Sequence, residues 1–252
     1  MSGRVTLIGA GPGDPELITV KGLRRLQAAD IVFYDALVSL ELVAFAHHAR
    51  RFPVGKRAGS HSVRQEEINR LLIRWERRGL NVVRLKCGDP FVLGRGGEEA
   101  LALAAAGIPT EVIPGVSAAV AAPALAGIPL THRGLASACV VVSGHAPSAY
   151  APVLVGLVPG TVTVVVLMGL RTRAEIARLL LERGWPRETP VAVLISASTA
   201  AAQQWLGTLE SLAWPAAIEG DGPATIVIGA VVSLAMHGSR VRADVSLGGT
   251  SA

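Results

Sequence analysis

Cysteine is nearly absent: Cys87 and Cys139 are the two in the chain, far apart in sequence. A disulfide-held scaffold and a zinc site built on cysteines are excluded, and the usage fits a reducing compartment. Aromatic residues make up 4% and charged residues 17% of the chain. The basic stretch around residues 50–95 holds few rings, Trp75 and Phe91 among them, which argues against stacking on nucleic-acid bases. Unbroken hydrophobic runs are lacking as well. Residues 112–131 and 146–170 carry no formal charge, but Pro114, Pro123 and Pro129 interrupt the first. Pro147, Pro152 and Pro159, with Gly156, Gly160 and Gly169, interrupt the second. Such breakers would leave backbone groups unsatisfied in lipid, so no membrane span is expected. Arg4 is followed by a short apolar run that ends in glycines, without the length or cleavage pattern of a signal peptide. The expectation is a cytoplasmic protein.

Half of the 252 residues are hydrophobic, enough for a sizeable core in one large domain or two modest ones. The 28 glycines and 15 prolines follow no repeat and indicate many tight loops. Charge is uneven. Residues 50–95 hold 12 basic and 4 acidic side chains, a field that favours an anionic ligand, although Arg70, Arg74, Arg77 and Arg78 also fit a solvated helix face. Strands are predicted at 5–8, 31–34, 82–85, 110–113, 139–143, 162–168, 191–195 and 225–232. Helices are predicted at 17–26, from a capping box at Ser62–Gln65 to Arg78, and at 98–106, 116–126 and 173–183. The alternation implies an α/β fold with a mostly parallel sheet. The domains are expected at 1–114 and 115–240, with a loose tail at 241–252.

Two loops stand out. Gly9-Ala10-Gly11-Pro12-Gly13-Asp14-Pro15 directly follows a strand. It begins like a dinucleotide fingerprint, but Asp14 replaces the third glycine and Pro12 removes an N–H that could cradle phosphate. Cys87-Gly88-Asp89-Pro90 follows another strand and leads into Gly94-Arg95-Gly96-Gly97-Glu98-Glu99. Asp89 stands where α/β sheets present groups to ligands, and a carboxylate there suits hydroxyl or cationic groups; it also suits an Asx turn. The adjacent His47-His48 pair lacks ligand spacing and is expected at a helix end, and no metal site is expected.

These segments, in this order, resemble the tetrapyrrole methylases. The resemblance spans residues 5–232 and rests on GAGPGDPE (9–16), YDALVS (34–39), VGKRAG (54–59), 84–99, PGVSA (114–118), AGIPLTHR (126–133), Met168-Gly169-Leu170 and Pro223-Ala224. It implies a two-domain α/β fold, a homodimer, and S-adenosylmethionine in an active-site cleft between the domains. By position, the donor contacts would be Pro12, Cys87, Gly88, Asp89, Val92, Ser117, Ala118, Met168, Ala197 and Ala224. Lys56 and Arg84 match family positions linked to activity or substrate handling, and Arg57, His61, Arg64, Arg95, His132 and Arg133 are further candidates; Asp35, at the end of the second strand beside the first loop, is the candidate catalytic carboxylate. Ser143-Gly144-His145 is similar to a family loop near the substrate. Three positions depart from the family pattern. Cys87 stands for the first glycine of a Gly-Gly-Asp and would be strained if that residue needs positive φ, Ser196 stands for a common Asn, and Ala230 for a frequent Glu in the last strand.

The implied reaction is methyl transfer from the sulfonium to ring carbons of a reduced tetrapyrrole, in the nearest branch uroporphyrinogen III, with no metal and with S-adenosylhomocysteine released. Such a ring carbon is already nucleophilic. The protein must align the reactants, exclude water and offer a carboxylate, Asp35, to the developing positive charge or the departing proton. Eight substrate carboxylates would suit the basic segment. A later corrin methylase, an rRNA or diphthine methylase of the same fold, and a non-enzymatic anion-binding module are the alternatives.

Overall fold

The computed structural model describes residues 3–55, 64–214, 218 and 220–237. The chain packs as two units, Met1–Ala121 with Ser198–Ala200, and Ala122–Ala197 with Ala201–Ala252. The division lies within a helix that follows Pro114. The expected tail at 241–252, the Ser62–Val63 half of the capping box, and Lys56, Arg57 and His61 lie outside the described residues.

The first unit holds β1 (Arg4–Gly9), α1 (Val20–Gln27), β2 (Ile31–Tyr34), α2 (Leu40–Ala44), β3 (Arg50–Pro53), α3 (Gln65–Glu76), β4 (Asn81–Lys86), α4 (Gly96–Ala105) and β5 (Thr110–Ile113). The strands form one sheet in the order β3-β2-β4-β1-β5, every pair parallel. Alternation along each strand feeds two cores, as the two-residue side-chain period requires. Ile8, Val32, Val83 and Leu85 pack with Leu26 of α1 and Leu42 and Val43 of α2. Val5, Leu7, Ile31, Phe33 and Val82 pack on the other face with Ile68 and Leu72 of α3 and Leu103 of α4. The helices start and stop on local signals. Thr19 caps α1 by accepting from the Gly22 N–H at 3.1 Å, and Gly79 and Gly107 adopt the left-handed conformation just beyond α3 and α4.

α5 (Ala118–Leu125) contains the division between units. The second unit holds β6 (Ala138–Ser143), α6 (Pro147–Leu154), β7 (Val162–Leu167), α7 (Arg173–Glu182), β8 (Pro190–Ile195), β9 (Gln203–Thr208), α8 (Leu209–Leu212), β10 (Ala224–Ile228) and α9 (Val232–His237). Its sheet runs β6-β7-β10-β8-β9. Only β6 and β7 are parallel; β10 pairs antiparallel with β7 and β8, and β8 with β9. The expectation of a mostly parallel sheet therefore holds for the first unit and fails for the second. The strand expected at 225–232 stops at Ile228, where Gly229 takes φ +146° and turns the chain into α9. Ala230 accordingly lies in that turn, not in a strand. His47 and His48 sit in a turn between α2 and β3, away from the helix end expected for them.

Candidate active site

In the first unit, the chain leaves β1 toward β2 and leaves β4 toward β5, in opposite directions across the sheet, and carries α1 and α4 to opposite faces. β1 and β4 are neighbours, so their carboxyl ends form the switch point at which open α/β sheets bind ligands. The loops meet there in backbone contact. Gly11 N–H donates to the Gly88 carbonyl at 3.3 Å, and Gly88 N–H donates to the Gly11 carbonyl at 2.7 Å. The loop after β5 closes on both. A Cβ on Gly115 would stand 2.3 Å from the Gly88 oxygen and 2.6 Å from the Gly9 α-carbon. The glycines of three motifs are thus required by one close approach.

Asp89 ties this junction. One carboxylate oxygen accepts from the Phe91 N–H at 2.8 Å, the Asx turn, and the other from the Gly115 N–H at 3.0 Å. Positive φ falls on Gly88, at +66°, and not on Cys87, so the strain expected of the cysteine does not arise. Burial and the nearby Asp35 carboxylate push the Cys87 thiol up to about 11, which keeps it neutral and unreactive. Pro12, Val92 and Ser117 belong to the same three loops, and Ala118 opens α5 directly after the third. A Cβ on Gly88 would have Ser117 and Ala118 as its nearest neighbours, at 3.7 and 3.8 Å. The spare lone pairs of half-buried Asp89 suit a ligand that offers hydroxyl or ammonium donors.

Asp35 directly follows β2, and its N–H donates to the Leu85 carbonyl of β4 at 3.1 Å. Its carboxylate pairs with the Arg84 guanidinium, whose Nε also donates to Glu99 at 3.0 Å. Lys86 Nζ lies 3.2 and 3.1 Å from the two Glu99 oxygens, and Gln65 Nε2 donates to the same carboxylate at 2.9 Å. Burial and the Arg84 charge lower the Lys86 pKa against the pull of Glu99 and Asp35. For Arg84, burial opposes the charge but Asp35 and Glu99 outweigh it, and its pKa is raised. Arg84 is 2% exposed, and its guanidinium is turned inward onto Asp35 and Glu99. Glu99 and Lys86 went unrecognised in the sequence. Their signal was present: Arg84 and Lys86, two apart in a buried strand, must share a face and need a carboxylate there. Arg95 is exposed and pairs with Glu98, Nη2 to Oε2 at 2.6 Å; exposed Arg64 precedes α3.

In the second unit, Met168, Ala197 and Ala224 gather at one end of the sheet. Ala224 stands opposite Ile195 and Thr225 opposite Leu167, so the segments after β7 and β8 flank the start of β10. Met168 has φ +59° and is 54% exposed, and Ser196 has φ +49°. Positive φ suits the asparagine common at this family position better than serine, because the amide tolerates the left-handed region. Among the described residues, the other non-glycine residues with positive φ are Leu93, Arg95 and Ser198. Leu93, Arg95 and Met168 lie in the motifs and Ser196 and Ser198 flank Ala197; strain of this kind gathers at functional sites. Gly144 of Ser143-Gly144-His145 is explained by packing, since a Cβ there would stand 2.4 Å from the Gly169 α-carbon. An open hollow of about 600 Å³ lies elsewhere in this unit; His132 and Arg133 line it, and none of the expected donor contacts does.

Residues 4–213 match the family described as Tetrapyrrole (Corrin/Porphyrin) Methylases. The chain belongs to this family. Among tetrapyrrole methylases, it is 46% identical over 238 residues to the uroporphyrinogen-III C-methyltransferase of Methanocaldococcus jannaschii, covering 93% of this chain and 98% of that one. It is 48% identical over 234 residues to sirohaem synthase 1 of Yersinia enterocolitica, covering 92% of this chain but 49% of the relative. This tetrapyrrole methylase therefore spans about half the length of that synthase. Among solved structures, the uroporphyrin-III C-methyl transferase of Thermus thermophilus in complex with S-adenosyl homocysteine superposes with a TM-score of 0.79. The two are 44% identical, and the match covers 92% of this chain and all of that one.

Proposed function

We propose that this tetrapyrrole methylase transfers methyl groups from S-adenosylmethionine to two ring carbons, C2 and C7, of uroporphyrinogen III. The products are precorrin-2, for sirohaem or cobalamin synthesis, and S-adenosylhomocysteine. The observation that carries this reading is the switch point: three glycine loops in backbone contact beside a half-buried carboxylate that a buried arginine holds in place. Near-full-length identity to the archaeal enzyme supports the substrate, and likeness to the Thermus complex supports the donor.

Pro12, Cys87, Gly88, Asp89, Val92, Ser117 and Ala118 would hold the donor in the first unit, with Met168, Ala197 and Ala224 as the contacts of the second. The donor supplies an electrophilic methyl group when bound. The chain does the rest. Asp89 accepts from donor hydroxyl or ammonium groups, and Asp35 faces the positive charge that develops on the pyrrole and takes its proton. Arg84 holds and orients that carboxylate. Lys56 completes the catalytic set, and the basic segment draws in the eight carboxylates. The reading includes a homodimer in the cytoplasm; among the described residues no helix is long and apolar enough to cross a membrane.

The test incubates purified protein with uroporphyrinogen III and S-adenosylmethionine and follows methyl uptake by mass spectrometry. A dimethylated product is expected, lost in Asp35→Ala with folding intact. Donor consumption only with a later corrin substrate, or none at all, overturns the reading. Sedimentation at the mass of a single 26.1 kDa chain would remove the homodimer.

A further inference from the structure

We propose that Glu99 and Lys86 are positioning residues for the Asp35 carboxylate, acting on it through Arg84. The inference deepens the proposed function and rests on it.

Four ionisable side chains form one closed set. Asp35 follows β2, Arg84 and Lys86 share a face of β4, and Glu99 lies in the first turn of α4. Glu99 is fully buried and Lys86 is 2% exposed, whereas the Asp35 side chain is 28% exposed. The set holds two positive and two negative charges, and only one member reaches the surface. Arg84 is the bridge. Its Nε engages Glu99, one terminal nitrogen engages Asp35, and the other donates to the backbone carbonyls of Leu85 at 3.3 Å and Phe33 at 3.5 Å. The guanidinium is therefore fixed on every side, and so is the carboxylate that it presents.

Stability alone does not favour this arrangement. Buried ion pairs are costly to desolvate, and apolar side chains of similar volume usually serve the fold as well or better. A closed buried charge set that ends on one accessible carboxylate at a ligand-binding sheet edge is explained by what it does to that carboxylate. The balance gives each member a definite part. With the Glu99 charge removed, Arg84 and Lys86 share a single carboxylate and draw Asp35 inward. With the Lys86 charge removed, Glu99 keeps the Gln65 amide but has Arg84 as its one cationic partner, and pulls the guanidinium away from Asp35. With both removed, the Arg84–Asp35 pair is again neutral.

The experiment compares Glu99→Gln, Lys86→Met and the double variant. Each single variant is expected to lose at least tenfold in kcat, with KM for donor and tetrapyrrole and the affinity for S-adenosylhomocysteine within about threefold of wild type. The double variant is expected to recover most of the lost kcat. Unchanged kcat in the single variants, or losses that multiply in the double variant, would overturn the proposal. If Glu99→Gln does not fold, Lys86→Met against the double variant gives the same comparison. A crystal structure of whichever single variant folds reads the Asp35 orientation independently of turnover. An unmoved carboxylate refutes the positioning role, whereas wild-type protein that transfers no methyl group refutes the proposed function instead.

Discussion

Gly9 and Gly115 approach so closely that a methyl group on Gly9 would lie 2.4 Å from the Gly115 nitrogen. The contact joins the ends of β1 and β5, and Gly88 packs against both. The neighbouring atoms are backbone, so no side chain can swing aside. Gly9→Ala is expected to cost about 1–3 kcal/mol from overpacking, roughly 2–12 °C in Tm for a chain of this size. Gly97→Ala is the control: it lies in the first turn of α4 with nothing within 4 Å of the new methyl group, and should gain up to about 1 kcal/mol. Differential scanning calorimetry checks both.

Asp89 spends one oxygen on Phe91 and the other on Gly115. An amide has a single carbonyl oxygen, so Asp89→Asn must leave one of these N–H groups facing an NH₂. A loss of about 1–3 kcal/mol is expected from the unpaired donor. Affinity for S-adenosylhomocysteine, measured by isothermal titration calorimetry, should fall at least tenfold. Undiminished affinity would remove Asp89 from the donor site.

Glu111 on β5 is clasped by Arg25 at 2.8 Å and Lys21 at 2.6 Å, both from α1. The hydrogen bond from Arg25, then that from Lys21, holds its carboxyl down at about 2. A depressed carboxyl pKa stabilises the fold above the ordinary carboxylate range, and the contribution disappears as pH falls toward 2. The pair is partly solvated and screened, so about 1 kcal/mol is expected. Thermal unfolding of wild type should weaken more between pH 5 and about pH 2 than that of Glu111→Gln, and salt should narrow the gap.

Four strands of the first unit, β1, β2, β4 and β5, were legible because each is a short apolar run closed within two residues by glycine, aspartate or proline. β2 and β5 were read to the residue, and β1 and β4 to within one at each end. β3 and β9 were not legible. Arg50-Arg51-Phe52-Pro53 and Gln203-Gln204-Trp205 are edge strands with a neighbour on one side only, and they keep polar side chains that no periodicity distinguishes from loop. The antiparallel half of the second sheet escaped for a related reason: apolar runs such as Val191–Ile195 and those of β7 and β10 state burial and not direction.

The same division runs through the site. The loops, their order and the family were written in residues that stand side by side, because glycine's freedom and proline's restriction act on the backbone where they occur. Which charges turn inward was not written there. Arg84 meets Asp35 across 49 positions and Glu99 across 15, and those partners exist only once β2, β4 and α4 are packed. Sequence alone determined the loops that can hold a ligand. The tertiary structure decided that Arg84 faces the carboxylates of Asp35 and Glu99, because burial leaves its charge only the partners that the fold brings to it.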